Sequence, residues 1–274
     1  MSEQEVSSMR ELPLDWATDL EILRLTGSEI QEYKDHLIVK TPSNPNYHWG
    51  NCLLVLDHSL VGQAHTWVSK FHEQFPNADW ISIALPVMPD EPEVWKSEGV
   101  TLEALEVLQA NDLPNSFPLP NGYLVRSLEG DDWNLLSKKE IKENLVSKLY
   151  EPSEYEDFII QTNKIRKALC QTGKAAWFGV FFANELVSNL GIVLCGKSGR
   201  YQSVETHIDH RKKGLASHLL GVAARWSAER GCDNWVIATE ATNDAGRVYR
   251  RAGFVSVNGS VNAYKPPSFN QDKN

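Results

Sequence analysis

The chain has 274 residues, 42% of them hydrophobic and nine of them Trp, which suits packed cores and excludes a disordered chain. That length is long for one ordinary domain and comfortable for two. The net charge of −9 is unevenly divided: residues 1–120 hold 19 acidic and 6 basic side chains (net −13), against 17 acidic and 21 basic (net +4) after them. The acidic part argues against nucleic-acid binding through that surface. No apolar run approaches membrane-spanning length, and no signal-peptide pattern opens the chain. Cys52, Cys170, Cys195 and Cys232 are widely spaced and form no CxxC pair. A reducing cytoplasm is the expected location, with neither membrane nor nucleic acid as partner.

In chain order, a helix is expected over 64–75 and a strand over 80–85. His58, His65 and His72 recur every seven residues, but no Cys, Asp or Glu stands beside them at metal-ligand spacing, so no metal site is expected. Residues 111–121 hold three Pro and three Asn and read as a linker. After it come a strand at 122–128 and a charged helix over 131–150 with Trp133, Leu136 and Ile141 facing inward. A second helix covers 154–171, and two strands flank the turn 183–185. A turn at 197–199 leads into a strand over 201–207.

Residues 211–216, Arg-Lys-Lys-Gly-Leu-Ala, sit between that strand and an amphipathic helix marked by Leu215, Leu219, Val222 and Trp226. The helix starts inside the Gly-containing turn, so its unpaired N–H groups point out of the loop. Gly214 and Ala216 let a ligand approach the backbone, while Arg211, Lys212 and Lys213 add positive charge. Together they make a pyrophosphate cradle. A buried strand at 234–239, an Asn-led short helix and a Gly253–Phe254 stop follow.

Here the chain resembles the GNAT family of acyl-CoA-dependent N-acyltransferases. The signature Arg/Gln-x-x-Gly-x-Gly/Ala is matched by Arg211, Gly214 and Ala216, and a later pattern by Asn243, Ala245, Tyr249, Gly253 and Phe254. The resemblance is clearest over 200–256 and extends from about residue 122. It implies a mixed α/β sheet of the acyl-CoA N-acyltransferase fold, with acetyl-CoA as co-substrate. Backbone groups of Val204 and Thr206 would hold the pantetheine arm. Lys212, Lys213, Gly214, Leu215, Ala216 and Ser217 would line the pyrophosphate, Arg211 would set the loop, and Asn243 would contact the cofactor arm. Tyr249 would protonate or hydrogen-bond the leaving sulfur.

An echo of this pattern precedes the linker. Residues 94–100 stand against 248–254, and 59–64 against 211–216, with a helix and a strand between them in the same order. A tandem fold is therefore expected: a degenerate GNAT-like half at 1–115, a catalytic half at 116–265 and a flexible tail at 266–274. The first half has Ser59 where the second has Arg211, and Trp95 where it has Tyr249, so the anion charge and the proton donor are both missing. It is expected to bind no CoA, to wall the acceptor pocket, and to bias that pocket toward cationic amines.

Acyl transfer needs a neutral amine, a donor for the oxyanion and stabilisation of the thiolate. Glu205 is the nominal base, with Glu240 as rival and no side chain as a third option. Glu205 and His207 are expected to share one face of their strand, and Gln202, Val204 and Thr206 the other, and only one face can look at substrate. The expected activity is transfer of an acetyl group to a primary amine, on a small molecule or a peptide, by direct attack. The rival is a catalytically idle acyl-CoA sensor.

Overall fold

The computed structural model describes residues 12–242 and 245–267. The chain runs α1 (Leu14–Leu25), β1 (Glu29–Glu32), β2 (His36–Lys40), β3 (Cys52–Val55), α2 (Ala64–Gln74), β4 (Ile81–Leu85), α3 (Glu93–Ser97) and β5 (Thr101–Ala110). After the linker come β6 (Tyr123–Ser127), α4 (Asp132–Ser147), α5 (Pro152–Gln171), β7 (Ala175–Phe182), β8 (Glu185–Cys195) and β9 (Ser198–Thr206). Next are α6 (Leu215–Ala228), β10 (Asn234–Glu240), α7 (Ala245–Arg251), β11 (Val255–Val257) and β12 (Val261–Lys265). The short 3-10 helices His58–Leu60 and Ile208–His210 precede α2 and α6, so the repeated order expected for a tandem fold is present.

All strands join one mixed sheet in the order β1-β2-β3-β4-β12-β5-β10-β9-β8-β7-β6, with β11 on β5. The halves exchange strands. β12, near the chain's end, lies between β4 and the first four residues of β5. The rest of β5 pairs with β10 from Leu105 to Ala110 and with β11 over Val107–Gln109. Each half therefore takes a central strand from the other, and β5 belongs to both.

Helices cover both faces, giving each half two apolar layers. In the first half, Trp67, Phe71 and Trp95 pack beneath α2 and α3, and α1 covers the other face through Trp16, Leu20 and Leu23. In the second, α6 and α7 bury Leu219, Leu220 and Tyr249 against Tyr201 and Phe254, while Trp133, Leu136 and Leu169 cover the opposite face. α1 also reaches the second half: buried Arg200 donates to both carboxylate oxygens of Asp19, at 3.0 and 3.2 Å.

The linker lies on α6. Asn115 N–H donates to Ala252 O at 2.8 Å, and His218 Nδ1 lies 2.7 Å from Phe117 O. A Cβ at Gly221 would collide with Ser116, so this contact requires glycine. Of the expected inward residues of α4, Trp133 and Leu136 are buried and Ile141 is half-buried. The stripe continues instead through Glu140 and Asn144, both buried.

Candidate active site

β9 and β10 are parallel neighbours only over Ser198–Arg200 against Asn234–Val236. Beyond that point both strands continue, to Thr206 and Glu240, without pairing. The splay between them exposes unpaired backbone groups on two facing edges, a slot for an extended amide-bearing chain.

A bulge lies beside the splay. Asn189 pairs with Glu205 and Gly191 with Gln202, so Ser203 and Val204 both stand opposite Leu190. Ser203 adopts a left-handed conformation (φ +48°), and its carbonyl accepts from Asn189 Nδ2 at 2.9 Å. Such a bulge removes a residue from the ladder and re-aims its neighbours.

At the mouth of the splay, α6 begins at Gly214 (φ +79°) with no side-chain cap, and its first bond runs from His218 N–H to Gly214 O. The N–H groups of residues 215–217 therefore have no intrahelical acceptor, and the helix dipole adds positive potential there. Arg211, Lys212 and Lys213 are all exposed around this end. Lys212 also takes a left-handed φ of +60°. Arg211 Nε donates to Thr206 O at 3.1 Å, and Lys213 Nζ donates to Asp209 O at 3.1 Å and to the Tyr123 hydroxyl at 3.2 Å. Tyr123 also bonds His210 Nδ1 at 2.8 Å, a brace that nothing in the 211–216 motif announces. Leu215 anchors the turn in the core, and Ala216 and Ser217 are half-buried beside it.

Tyr249 projects from α7 into the α6–α7 core beside Phe254, 5% exposed, and burial pushes its phenol up to about 12. Asn243 lies outside the described residues.

Glu205 faces α4, where Lys139 Nζ donates to its Oε2 at 2.8 Å and to Glu143 at 3.1 Å. Beside this pair, Arg166 joins Glu140 Oε1 (3.2 Å) to Ser203 Oγ (2.6 Å), and Asn163 donates to Glu140 Oε2 at 2.7 Å. Burial holds the Glu140 carboxyl above the usual range despite Arg166. Val204 points instead toward the α6 core, and Thr206 Oγ1 lies 2.8 Å from Ser188 Oγ. Beyond the bulge the faces of β9 alternate, with Glu205 on the α4–α5 side and Val204 on the α6 side. The bulge shifts the phase, so Gln202 lies on the same side as Ser203 and not, as alternation alone predicts, with Val204. Sequence reasoning missed Lys139, Glu140, Asn163 and Arg166. Their only signal is polar residues continuing an apolar stripe at spacings of three and four.

The first-half counterpart, α2, also begins without a side-chain cap, but no Lys or Arg stands in the turn before it. Asp57 Oδ1 accepts from Ser59 N–H at 3.0 Å and Ser59 Oγ at 2.7 Å. Trp67 and Trp95 indoles donate to Leu60 O and Val61 O, each at 2.9 Å. Among the described residues no group of His, Cys, Asp and Glu could hold a metal ion, and no helix is long and apolar enough to cross a membrane.

Residues 141–254 match the family model described as the acetyltransferase (GNAT) family. No curated protein sequence matches the chain. Among solved structures, the chain is similar to a GCN5-related N-acetyltransferase from Kribbella flavida (14% identity, 93% of this chain and 98% of that one, TM-score 0.63). It is also similar to a functionally unknown conserved protein from Staphylococcus epidermidis (12%, 88% and 94%, TM-score 0.66). A tandem GNAT protein from the clavulanic acid biosynthesis pathway matches at 13% identity over 93% and 97%, with TM-score 0.54. The chain thus has a tandem GNAT fold, and its residues 141–254 belong to the GNAT acetyltransferase family.

Proposed function

We propose that the second half transfers an acetyl group from acetyl-CoA to a primary amine, in the cytoplasm, where the four free thiols stay reduced. The observation that carries this reading is the splay of β9 and β10 ending at an uncapped, cation-flanked helix terminus. The slot suits a pantetheine arm along Val204 and Thr206, and the terminus suits its pyrophosphate along residues 212–217. The chain divides at the linker into a first half, 1–115, without CoA and a catalytic half, 116–265.

The amine nitrogen attacks the thioester carbonyl, the C–S bond breaks, and the nitrogen loses a proton. Tyr249 stays neutral at working pH because burial holds its proton. A phenol near 12 does not surrender that proton to a thiolate of ordinary basicity, so its role is to donate a hydrogen bond to the leaving sulfur. Glu205 takes the amine proton through water while Lys139 orients its other oxygen. Glu240, at the open end of β10, is the competing base.

Thermal shift with acetyl-CoA, NAD and ATP side by side tests the reading: stabilisation by acetyl-CoA alone is expected, and no shift at millimolar acetyl-CoA overturns it. One feature favours the idle-sensor alternative, namely that Glu205 is already ion-paired. Turnover of acetyl-CoA with a panel of amines separates the two.

A further inference from the structure

A cleft in two compartments runs between the halves, on the sheet face opposite α6. The inner compartment, about 380 Å³, is lined by Asp15, Arg166, Trp177, Arg200, Gln202 and Thr239 among others. The outer, about 390 Å³, is lined by Glu103, Glu151, Glu154 and Glu240 under aromatic walls that include Tyr150 and Tyr155. Tyr47, Trp49, Leu105, Phe158, Glu240 and Asn262 line both, so the compartments are continuous. Gln202 and residues 238–240 carry the inner one to the splay of β9 and β10.

The two ends make different demands on an occupant. Of the charges lining the inner compartment, Asp19 pairs with Arg200, and Arg166 pairs with Glu140 outside the lining. Yet Asp15 Oδ1 has no hydrogen-bond partner although the residue is 1% exposed; its other oxygen accepts from Ser260. A buried acceptor left unmatched calls for a donor from the occupant. Among the described residues, no Lys or Arg lines the outer compartment. Glu151 caps α5, accepting from Ser153 Oγ and Glu154 N–H. Glu103, Glu154 and Glu240 form no ion pair among the described residues. Burial and Glu240 push the Glu103 carboxyl up, and burial, Asp79 and Glu151 do the same to Glu154. Tyr150 and Tyr155 stack in parallel, 5.3 Å between centroids, beside these carboxylates. Unmatched negative charge beside aromatic faces selects an organic cation.

We propose, resting on the acetyltransferase reading, that the acceptor is a small linear diamine or polyamine spanning both compartments. One protonated nitrogen lies between Glu103 and Glu154 beside Tyr150 and Tyr155. The chain passes Glu240, and the inner amino end donates to Asp15 Oδ1 and is the end presented to the thioester. The reacting amine must lose its charge to attack, so recognition by charge falls to the nitrogen that does not react.

The test uses the whole chain, with 1,4-diaminobutane and spermidine as probes and butylamine as the singly charged control. Calorimetry without CoA reads the cleft alone. Binding of both probes at least tenfold tighter than butylamine is expected, falling to parity in the Glu103→Gln/Glu154→Gln double variant. With acetyl-CoA, the double variant should raise KM for the diamine and leave kcat near the parent value. A retained acetyl-CoA thermal shift shows the variant is folded. Equal binding of butylamine and diamine overturns the inference, as does a preference that survives in the variant. Failure of the parent to bind CoA overturns the acetyltransferase reading instead, and the probe titration still decides what the cleft holds.

Discussion

The turn at 57–64 and the turn at 207–216 have the same architecture, a 3-10 helix followed by an α-helix on one face of the sheet, and they present opposite chemistry. In the first, the 3-10 turn is capped by Asp57 as the second is by His207, and α2 starts uncapped from Gln63 at φ −86° with no Lys or Arg among residues 57–64. In the second, the helix end is uncapped, glycine sits at φ +79°, and three cations surround it. Backbone geometry alone therefore does not make an anion site. What separates the two turns is the left-handed glycine and the cluster of cations, the charge an anion needs beside exposed N–H groups.

The comparison breaks most sharply at Gly214. Gly214→Val places a branched side chain in a left-handed conformation at the turn proposed to hold the pyrophosphate. It should abolish the acetyl-CoA thermal shift, a loss of roughly a thousandfold or about 4 kcal/mol in affinity. A shift equal to the parent's would show that the phosphates lie elsewhere. Tyr249→Phe should lower turnover on the order of ten- to a thousandfold with little change in CoA affinity. If steady-state assays show undiminished turnover, the hydroxyl has no part in thiolate departure. The first-half turn sharpens the contrast: calorimetry with CoA should give one site per chain, and two would show that Ser59 and Trp95, in place of Arg211 and Tyr249, do not prevent binding there. Lys212→Gln should weaken CoA by a few fold, with the deficit shrinking as salt rises. A salt-independent deficit would point to altered loop geometry instead.

Much of the second half was legible because its information is local. The 211–216 turn, the helix periodicity behind it and the Gly253 stop all sit within sixty residues. The strand exchange was not. Residues 101–110, Thr-Leu-Glu-Ala-Leu-Glu-Val-Leu-Gln-Ala, are rich in helix formers yet make the central strand. Pairing with β10, β11 and β12, strands more than 120 residues away, overrides that propensity. The ionic cluster around Glu205 was hidden for a related reason. Polar residues on α4 and α5 read as a solvated face, and only the packing of the two helices on β9 turns Lys139, Glu140 and Arg166 inward. The splay is likewise a matter of where pairing stops, which a strand's own residues do not encode.

A smaller prediction follows at the exchanged strand. His48 Nδ1 lies 2.8 Å from the Tyr264 hydroxyl on β12, and burial pushes the imidazole from 6.5 to about 4. A depressed folded-state value means stability that is fully present above pH 6.5 and lost as pH falls toward 4. Melting temperature should drop across that window, and His48→Asn should flatten the drop. An unchanged profile in the variant would assign acid lability to other groups.

The position of β12 also sets an order of events during synthesis. The first half's sheet lacks an inner strand until residues 261–265 have left the ribosome, although its other strands emerge within the first 110. Until then the edges of β4 and β5 carry unpaired N–H and C=O groups, a template for pairing with other chains. The nascent chain must therefore protect its first half through the translation of its second, and removal of the last fifteen residues should damage the half that was made first.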